Sequence, residues 1–222
     1  MSRKIFLIVG SMKGQKSTSA FIANRLIGML KKQDFIVDTM YLDAKINLKQ
    51  EELLLGVNNA DIIILSSPLY IDGPPYLVNR AMELVADYRN NNKKSERKDF
   101  LVITNGGYPE ATYNSNVLSI YNIFAEEANF KWLGGLYMGE GAVFSVPALR
   151  TAGYALNIFS HIEKGLRQAS FALLNNNPIS VETIELVAKP YVPFWLYSFL
   201  ARSVAKLLSL KNKSGSIYYK PY

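Results

Sequence analysis

Residues 4–19 read Lys-Ile-Phe-Leu-Ile-Val-Gly-Ser-Met-Lys-Gly-Gln-Lys-Ser-Thr-Ser. The apolar run 5–9 stops at Gly10, and the loop that follows holds Gly14 and the hydroxyl residues Ser11, Ser17, Thr18 and Ser19. A helical pattern then covers 17–31, with Phe21, Leu26, Ile27 and Leu30 at its apolar positions. A buried strand therefore feeds a helix through a tight turn. The first N–H groups of a helix have no intrahelical partner and lie at the positive end of its dipole, so a turn ringed by hydroxyls at that point suits a phosphate. The plainer reading is an ordinary serine cap, with Ser17 in that role.

The same alternation continues along the chain. Short runs rich in Ile, Val or Phe at 35–40, 62–65 and 100–104 read as buried strands, separated by helical patterns at 48–58 and 75–88. A further helix is expected at 116–129, a fifth strand at 131–138 and a long helix at 150–174. This order gives an α/β doubly wound sheet of five parallel strands with helices on both faces. One such domain is expected over 1–178, followed by a C-terminal helical and basic extension over 179–222. The run 90–98 is a solvated polar connection.

Composition removes several kinds of chemistry. The 222-residue chain has no cysteine and a single histidine, His161, so thiolate metal sites, disulfides and a histidine-based metal centre within one chain are excluded. His161 reads as a surface or interface residue. Demanding redox chemistry has to come from a bound organic cofactor. The apolar stretch near the start is too short for a signal peptide, and no window is long and apolar enough to span a bilayer, so a cytoplasmic protein is expected. The net charge of +7 is placed unevenly. From Leu186 onward there are six basic residues (Lys189, Arg202, Lys206, Lys211, Lys213 and Lys220) and no acidic one, which leaves 19 basic against 18 acidic before that point. A uniformly basic nucleic-acid surface is not supported, whereas a local patch for a partner, an anionic cofactor or a membrane surface is.

In a doubly wound sheet, ligands bind beyond the carboxyl ends of the strands where strand order reverses, so the loops after residues 9, 65 and 104 should meet. The second, Ser66-Ser67-Pro68-Leu69-Tyr70-Ile71-Asp72-Gly73-Pro74-Pro75, is stiffened by its prolines and presents Leu69, Tyr70 and Ile71 either as a wall for a flat apolar ring or as a cover for the sheet's end. The third, Asn105-Gly106-Gly107-Tyr108-Pro109-Glu110, exposes backbone donors and one side-chain amide, or is simply a turn. Asp72 and Glu110 can serve as ring contacts or turn caps. The glycine pairs at 134–135 and 139–141 allow close packing against a ligand or a second subunit, and Tyr113 and Tyr121 are candidates for a subunit-shared pocket.

Together the three loops resemble the NAD(P)H-dependent FMN reductase family, which has a flavodoxin-like fold. The resemblance rests on Gly10-Ser11-x-Lys13 with Ser17-Thr18-Ser19, on Ser67-Pro68-Leu69-Tyr70 with Pro74-Pro75, and on Asn105-Gly106-Gly107-Tyr108-Pro109-Glu110, and it covers about 3–170. The chain departs from the family's commonest pattern with Met12 in place of proline and Lys13 in place of arginine, exchanging a planar fork for a point charge. The resemblance implies that Ser11, Ser17, Thr18 and Ser19 hold the FMN phosphate, with Lys13 adding charge. It implies that Pro68, Leu69, Tyr70 and Ile71 flank the ribityl chain and isoalloxazine. Asn105, Gly106 and Gly107, with Tyr108 beside them, would line the pyrimidine edge. Hydride would pass from NADH or NADPH to the flavin and on to a small acceptor (free flavin, a quinone, an azo or nitro compound, or a metal ion), with no side-chain acid or base and no bound metal. A homodimer is implied as well. A flavodoxin-like electron carrier and a non-catalytic, membrane-associated binding module are the alternatives.

The segment 193–210 carries a polar stripe of Ser198, Arg202, Lys206 and Ser209 on an otherwise apolar helix. Such a helix is expected to be buried, docked on its own domain or a partner subunit, or inserted in a membrane interface.

Overall fold

The computed structural model describes residues 2–31, 35–70, 73–92, 96–107 and 115–211. Five parallel strands form one sheet: β1 (Lys4–Val9), β2 (Ile36–Tyr41), β3 (Ile62–Pro68), β4 (Lys98–Asn105) and β5 (Phe130–Met138), in the spatial order β2-β1-β3-β4-β5. This is the flavodoxin-like doubly wound order, whose reversal falls between β1 and β3. The central strand β3 is buried along its whole length, and its Ile62, Ile63, Ile64 and Leu65 feed both faces alternately.

Each face builds its own core from that alternation. On one face Ile5, Leu7, Val9, Ile62, Ile64, Leu101 and Ile103 pack under α1 (Thr18–Leu30) and, after the short helices α5 (Gly141–Ser145) and α6 (Pro147–Ala155), under α7 (Ser160–Leu174). On the other face Phe6, Ile8, Ile63, Leu65, Phe100 and Val102 pack under α2 (Gln50–Asn59), α3 (Tyr76–Asn91) and α4 (Ser115–Glu127). Tyr121 of α4 is fully buried in this second core, with burial raising the pKa of its phenol, so it is a core residue and not a wall of a subunit-shared pocket.

The expected helix over 150–174 is two helices, α6 and α7. The chain breaks at 156–159, where Asn157 takes a left-handed φ of 56° and Phe159 folds back onto Gly153. A Cβ on Gly153 would stand 2.3 Å from the Phe159 ring, so the break and the glycine belong together. The glycine pair in β5 likewise serves this chain's own packing. Gly134, at φ 120°, sits in a register shift of the β4–β5 pairing and lies against Ile179, while Gly135 lies under Leu118.

The same irregularity receives the C-terminal extension. The Ile179 N–H donates to the Leu133 carbonyl at 2.6 Å, and α8 (Val181–Ala188) then packs on β5 and α7. Ser180 caps α8 by accepting from the Thr183 N–H. The last helix, α9 (Phe194–Lys211), returns toward α5. His161 of α7 donates from Nε2 to the Lys189 carbonyl at 3.0 Å, and burial lowers its pKa.

Gly10 sets how closely β1 leaves the sheet beneath α3, because a Cβ there would stand 2.2 Å from Val78 Cγ2. Gly10→Ala is expected to destabilise the fold by about 1–3 kcal/mol through overpacking. Part of the loss should return in the Gly10→Ala/Val78→Ala double variant, read as non-additive urea midpoints.

Candidate functional site

The first loop is built around two tight features. Gly14 takes a left-handed φ of 52° and opens a 3-10 turn over Gly14–Lys16, its N–H bonded to the Ser11 carbonyl. Ser17 then caps α1. Its hydroxyl accepts from the Ala20 N–H at 3.0 Å and donates to the Gly14 carbonyl at 2.7 Å.

The structure gives the four hydroxyls different work. Ser17 spends its proton and a lone pair on the cap, and Ser19 donates to Asn105 Oδ1 at 2.7 Å. Ser11 is buried and accepts from the Lys13 N–H at 3.4 Å, and neither its hydroxyl proton nor that of the half-buried Thr18 has an acceptor among the described residues. The backbone N–H groups of Ser11, Met12, Thr18 and Ser19 have no protein acceptor among the described residues. The last two belong to the first turn of α1, which contains no acidic residue. Lys13 and Lys16 are exposed and form no ion pair among the described residues. The turn is therefore a set of donors without acceptors among the described residues, at a positive helix end with exposed positive charge nearby, which is the requirement for an oxyanion.

The second and third loops are joined to the first through buried polar groups. Gly10 N–H donates to the Ser66 carbonyl at 2.8 Å, and the Ser66 hydroxyl donates to the Ser19 carbonyl at 2.9 Å. Ser19 in turn holds Asn105, and the Asn105 carbonyl accepts the Leu69 N–H at 2.9 Å. All three side chains, Ser19, Ser66 and Asn105, are buried. Fixing Asn105 Oδ1 leaves its Nδ2 amide as the donor end.

Beyond Leu69, Tyr70 and Gly73 pair through two backbone hydrogen bonds, and Tyr70 is half exposed at the rim. Pro68 is buried at the end of β3. Ile71, Asp72, Tyr108, Glu110 and Tyr113 lie outside the described residues. In the third loop the Gly106 N–H is committed to the Met138 carbonyl at 2.9 Å, whereas Gly107 is exposed with open space where a Cβ would stand. Of the two glycines, Gly107 is the one whose N–H has no acceptor among the described residues.

The C-terminal extension reaches the same rim, which sequence reasoning missed. Tyr197 of α9 is buried and donates from its hydroxyl to the Gly107 carbonyl. Upstream, Glu140 stands between β5 and α5 at a left-handed φ of 57°, fully buried. Its Oε2 accepts the N–H of Tyr191 at 2.8 Å and of Val192 at 3.4 Å, and the Tyr191 hydroxyl donates to the Glu140 carbonyl. Its Oε1 has no partner among the described residues. Burial raises the Glu140 pKa above the usual carboxylate value, against the lowering effect of the two N–H donors. The only local sequence signal was a glutamate between two glycines. Tyr191 and Val192, which make it an anchor, lie 51 and 52 residues away.

The described residues match the groups of FMN on three counts: N–H donors for a phosphate at α1, apolar surface at Leu69 and Tyr70, and the Asn105 side-chain amide and Gly107 N–H, without acceptors among the described residues, for the edge of a ring.

No protein-family profile and no curated protein sequence matches the chain. Solved structures match its fold. The apo form of an NADH:FMN oxidoreductase (EMOB) superposes over 82% of this chain and 94% of its own, with a TM-score of 0.59 and 16% identity. An NAD(P)H:quinone oxidoreductase from Methanothermobacter marburgensis covers 78% of this chain and 96% of its own, at TM-score 0.57 and 13% identity. RosB, solved with bound 8-demethyl-8-formylriboflavin-5'-phosphate, covers 100% of this chain and 96% of its own, at TM-score 0.56 and 12% identity. At these identities the likeness establishes the shared flavodoxin-like fold.

Two outcomes follow from the polar contacts. Ser19→Ala strands Asn105 Oδ1 in a buried site and should cost about 1–3 kcal/mol in urea unfolding. Glu140 binds a proton more tightly in the folded chain than in the unfolded one, so its contribution to stability is full below the ordinary glutamate pKa and is lost as pH rises through the raised folded value. Glu140→Gln should flatten that stretch of the stability-versus-pH curve, measured by denaturant midpoints from acid to neutral pH.

Proposed function

We propose that the chain is an FMN-dependent NAD(P)H oxidoreductase related to the NAD(P)H-dependent FMN reductases. The observation that carries this reading is the polar chain from Ser66 through Ser19 to Asn105, which ties the three loops together where they leave the sheet, beside N–H donors that have no acceptor among the described residues. The descriptions of two matched structures, an NADH:FMN oxidoreductase and an NAD(P)H:quinone oxidoreductase, support it.

In this reading Ser11, Thr18 and the N–H groups of Met12, Thr18 and Ser19 hold the phosphate, and Lys13 adds long-range attraction. Ser17 and Ser19 act one step back by fixing the helix end and the third loop. Pro68, Leu69, Tyr70 and Ile71 form the wall, while Asn105 and Gly107 donate to the polar edge, with Tyr108 beside them. When bound, FMN supplies the two-electron chemistry, between a nicotinamide on one side and a small acceptor such as free flavin, a quinone, or an azo or nitro compound on the other. The protein's contribution is orientation and electrostatics. Donors held by a rigid frame need no reorganisation when negative charge develops on the ring edge, which is where such groups lower a barrier most.

The test is an absorbance spectrum of the isolated protein followed by anaerobic titration. Bound flavin bleached by NADH or NADPH is the expected result. Protein that stays colourless with added FMN overturns the proposal, and flavin reduced only by a partner reductase assigns an electron carrier instead. Thr18→Glu separates phosphate binding from folding. A carboxylate in the first turn of α1 favours the helix but repels a phosphate, so FMN affinity should fall at least about tenfold while the melting temperature holds or rises slightly.

A further inference from the structure

The helix α9 has two unlike sides. Tyr197, Leu200 and Ala201 pack on the core of the domain. On the opposite side Trp195, Phe199, Arg202 and Lys206 follow at spacings of four, three and four residues, which stacks them along one helical face. All four are exposed, Trp195 at 70% and Phe199 at 66%, and Phe194 borders them at 64%. Among its described residues, the helix expected to be buried is therefore covered on one side only. Its outward stripe interleaves two large aromatic rings with two cations, in a stretch of chain that has no acidic residue from Leu186 to Tyr222.

We propose that this stripe docks the protein on an anionic lipid bilayer, with α9 lying in the plane of the headgroups. Indole and phenyl rings favour the boundary between headgroups and acyl chains, and cations on the same face meet the lipid phosphates there. Among the described residues no helix is long and apolar enough to cross a membrane, which fits a helix that lies on the surface. Charge complementarity selects the occupant: the stretch 186–222 carries six basic residues and no acidic one, which matches an anionic surface. Two rings and a few cations give reversible, salt-sensitive attachment. Because Tyr197 on the inner side holds the Gly107 carbonyl, the rim of the candidate site would sit about one helix diameter, roughly 10 Å, from the lipid. The inference depends on the placement of α9 and not on the FMN reading.

Co-sedimentation of the full chain with vesicles tests it. The protein should pellet with phosphatidylcholine vesicles containing phosphatidylserine, stay in solution with phosphatidylcholine alone, and be released by salt, and the emission of Trp195 should shift to the blue on binding. Trp195→Ala/Phe199→Ala leaves the net charge and the buried side of α9 unchanged. It should keep its melting temperature and FMN content and weaken vesicle binding at least about tenfold. Arg202→Glu should weaken binding by about fivefold or more for loss of the cation. Three results would overturn the proposal: no binding to anionic vesicles at low salt, binding that the aromatic double variant retains in full, or a dimer in sedimentation velocity that this double variant abolishes.

Discussion

The hydrogen bond from the Ser19 hydroxyl to Asn105 Oδ1 is the constraint on which the rim depends. It is buried, it joins residues 86 positions apart, and it continues through the Ser19 carbonyl to the Ser66 hydroxyl. In a low-dielectric setting each of these groups is costly to leave unpaired, which holds Ser19, Ser66 and Asn105 together where the three loops leave the sheet.

That economy explains the division among the hydroxyls. A cap residue must accept from a helix N–H, and Ser17 does so; a cross-brace must reach another strand, and Ser19 does so. What remains for an anion is mostly backbone, which a side-chain inventory undercounts. Close approach is the other economy. Gly10 lets the end of β1 pass under Val78, and Gly141 lies against the Gly106 carbonyl, so the loops after β1 and β4 are held near the sheet.

The C-terminal extension belongs to this frame as well. It enters at the irregular β4–β5 pairing, is tied down by Glu140, and ends its docking at Gly107 through Tyr197. Glu140 carries a cost, a fully buried carboxyl with one oxygen unpartnered among the described residues, in exchange for two backbone N–H groups satisfied at the turn into α9. The same docking that buries one side of α9 leaves Trp195 and Phe199 in the open.

The strands were legible in the chain because parallel strands buried on both faces must be short, apolar and β-branched, as 62–65 is, and Ser17 was legible as a cap because capping is local. The three loops could be placed at one edge because strand direction in a doubly wound sheet puts them there. The break at 156–159, the short helices α5 and α8, and the roles of Ser19, Glu140 and Tyr197 were not legible, since each is decided by a partner distant in sequence or by a fragment too short to show a period. Likewise the heptad-like spacing of Trp195, Phe199, Arg202 and Lys206 was written in the sequence, but which side of that helix meets water was decided only when Tyr197 found Gly107. Periodicity states that a helix has faces; only packing against the rest of the chain selects the one that is covered.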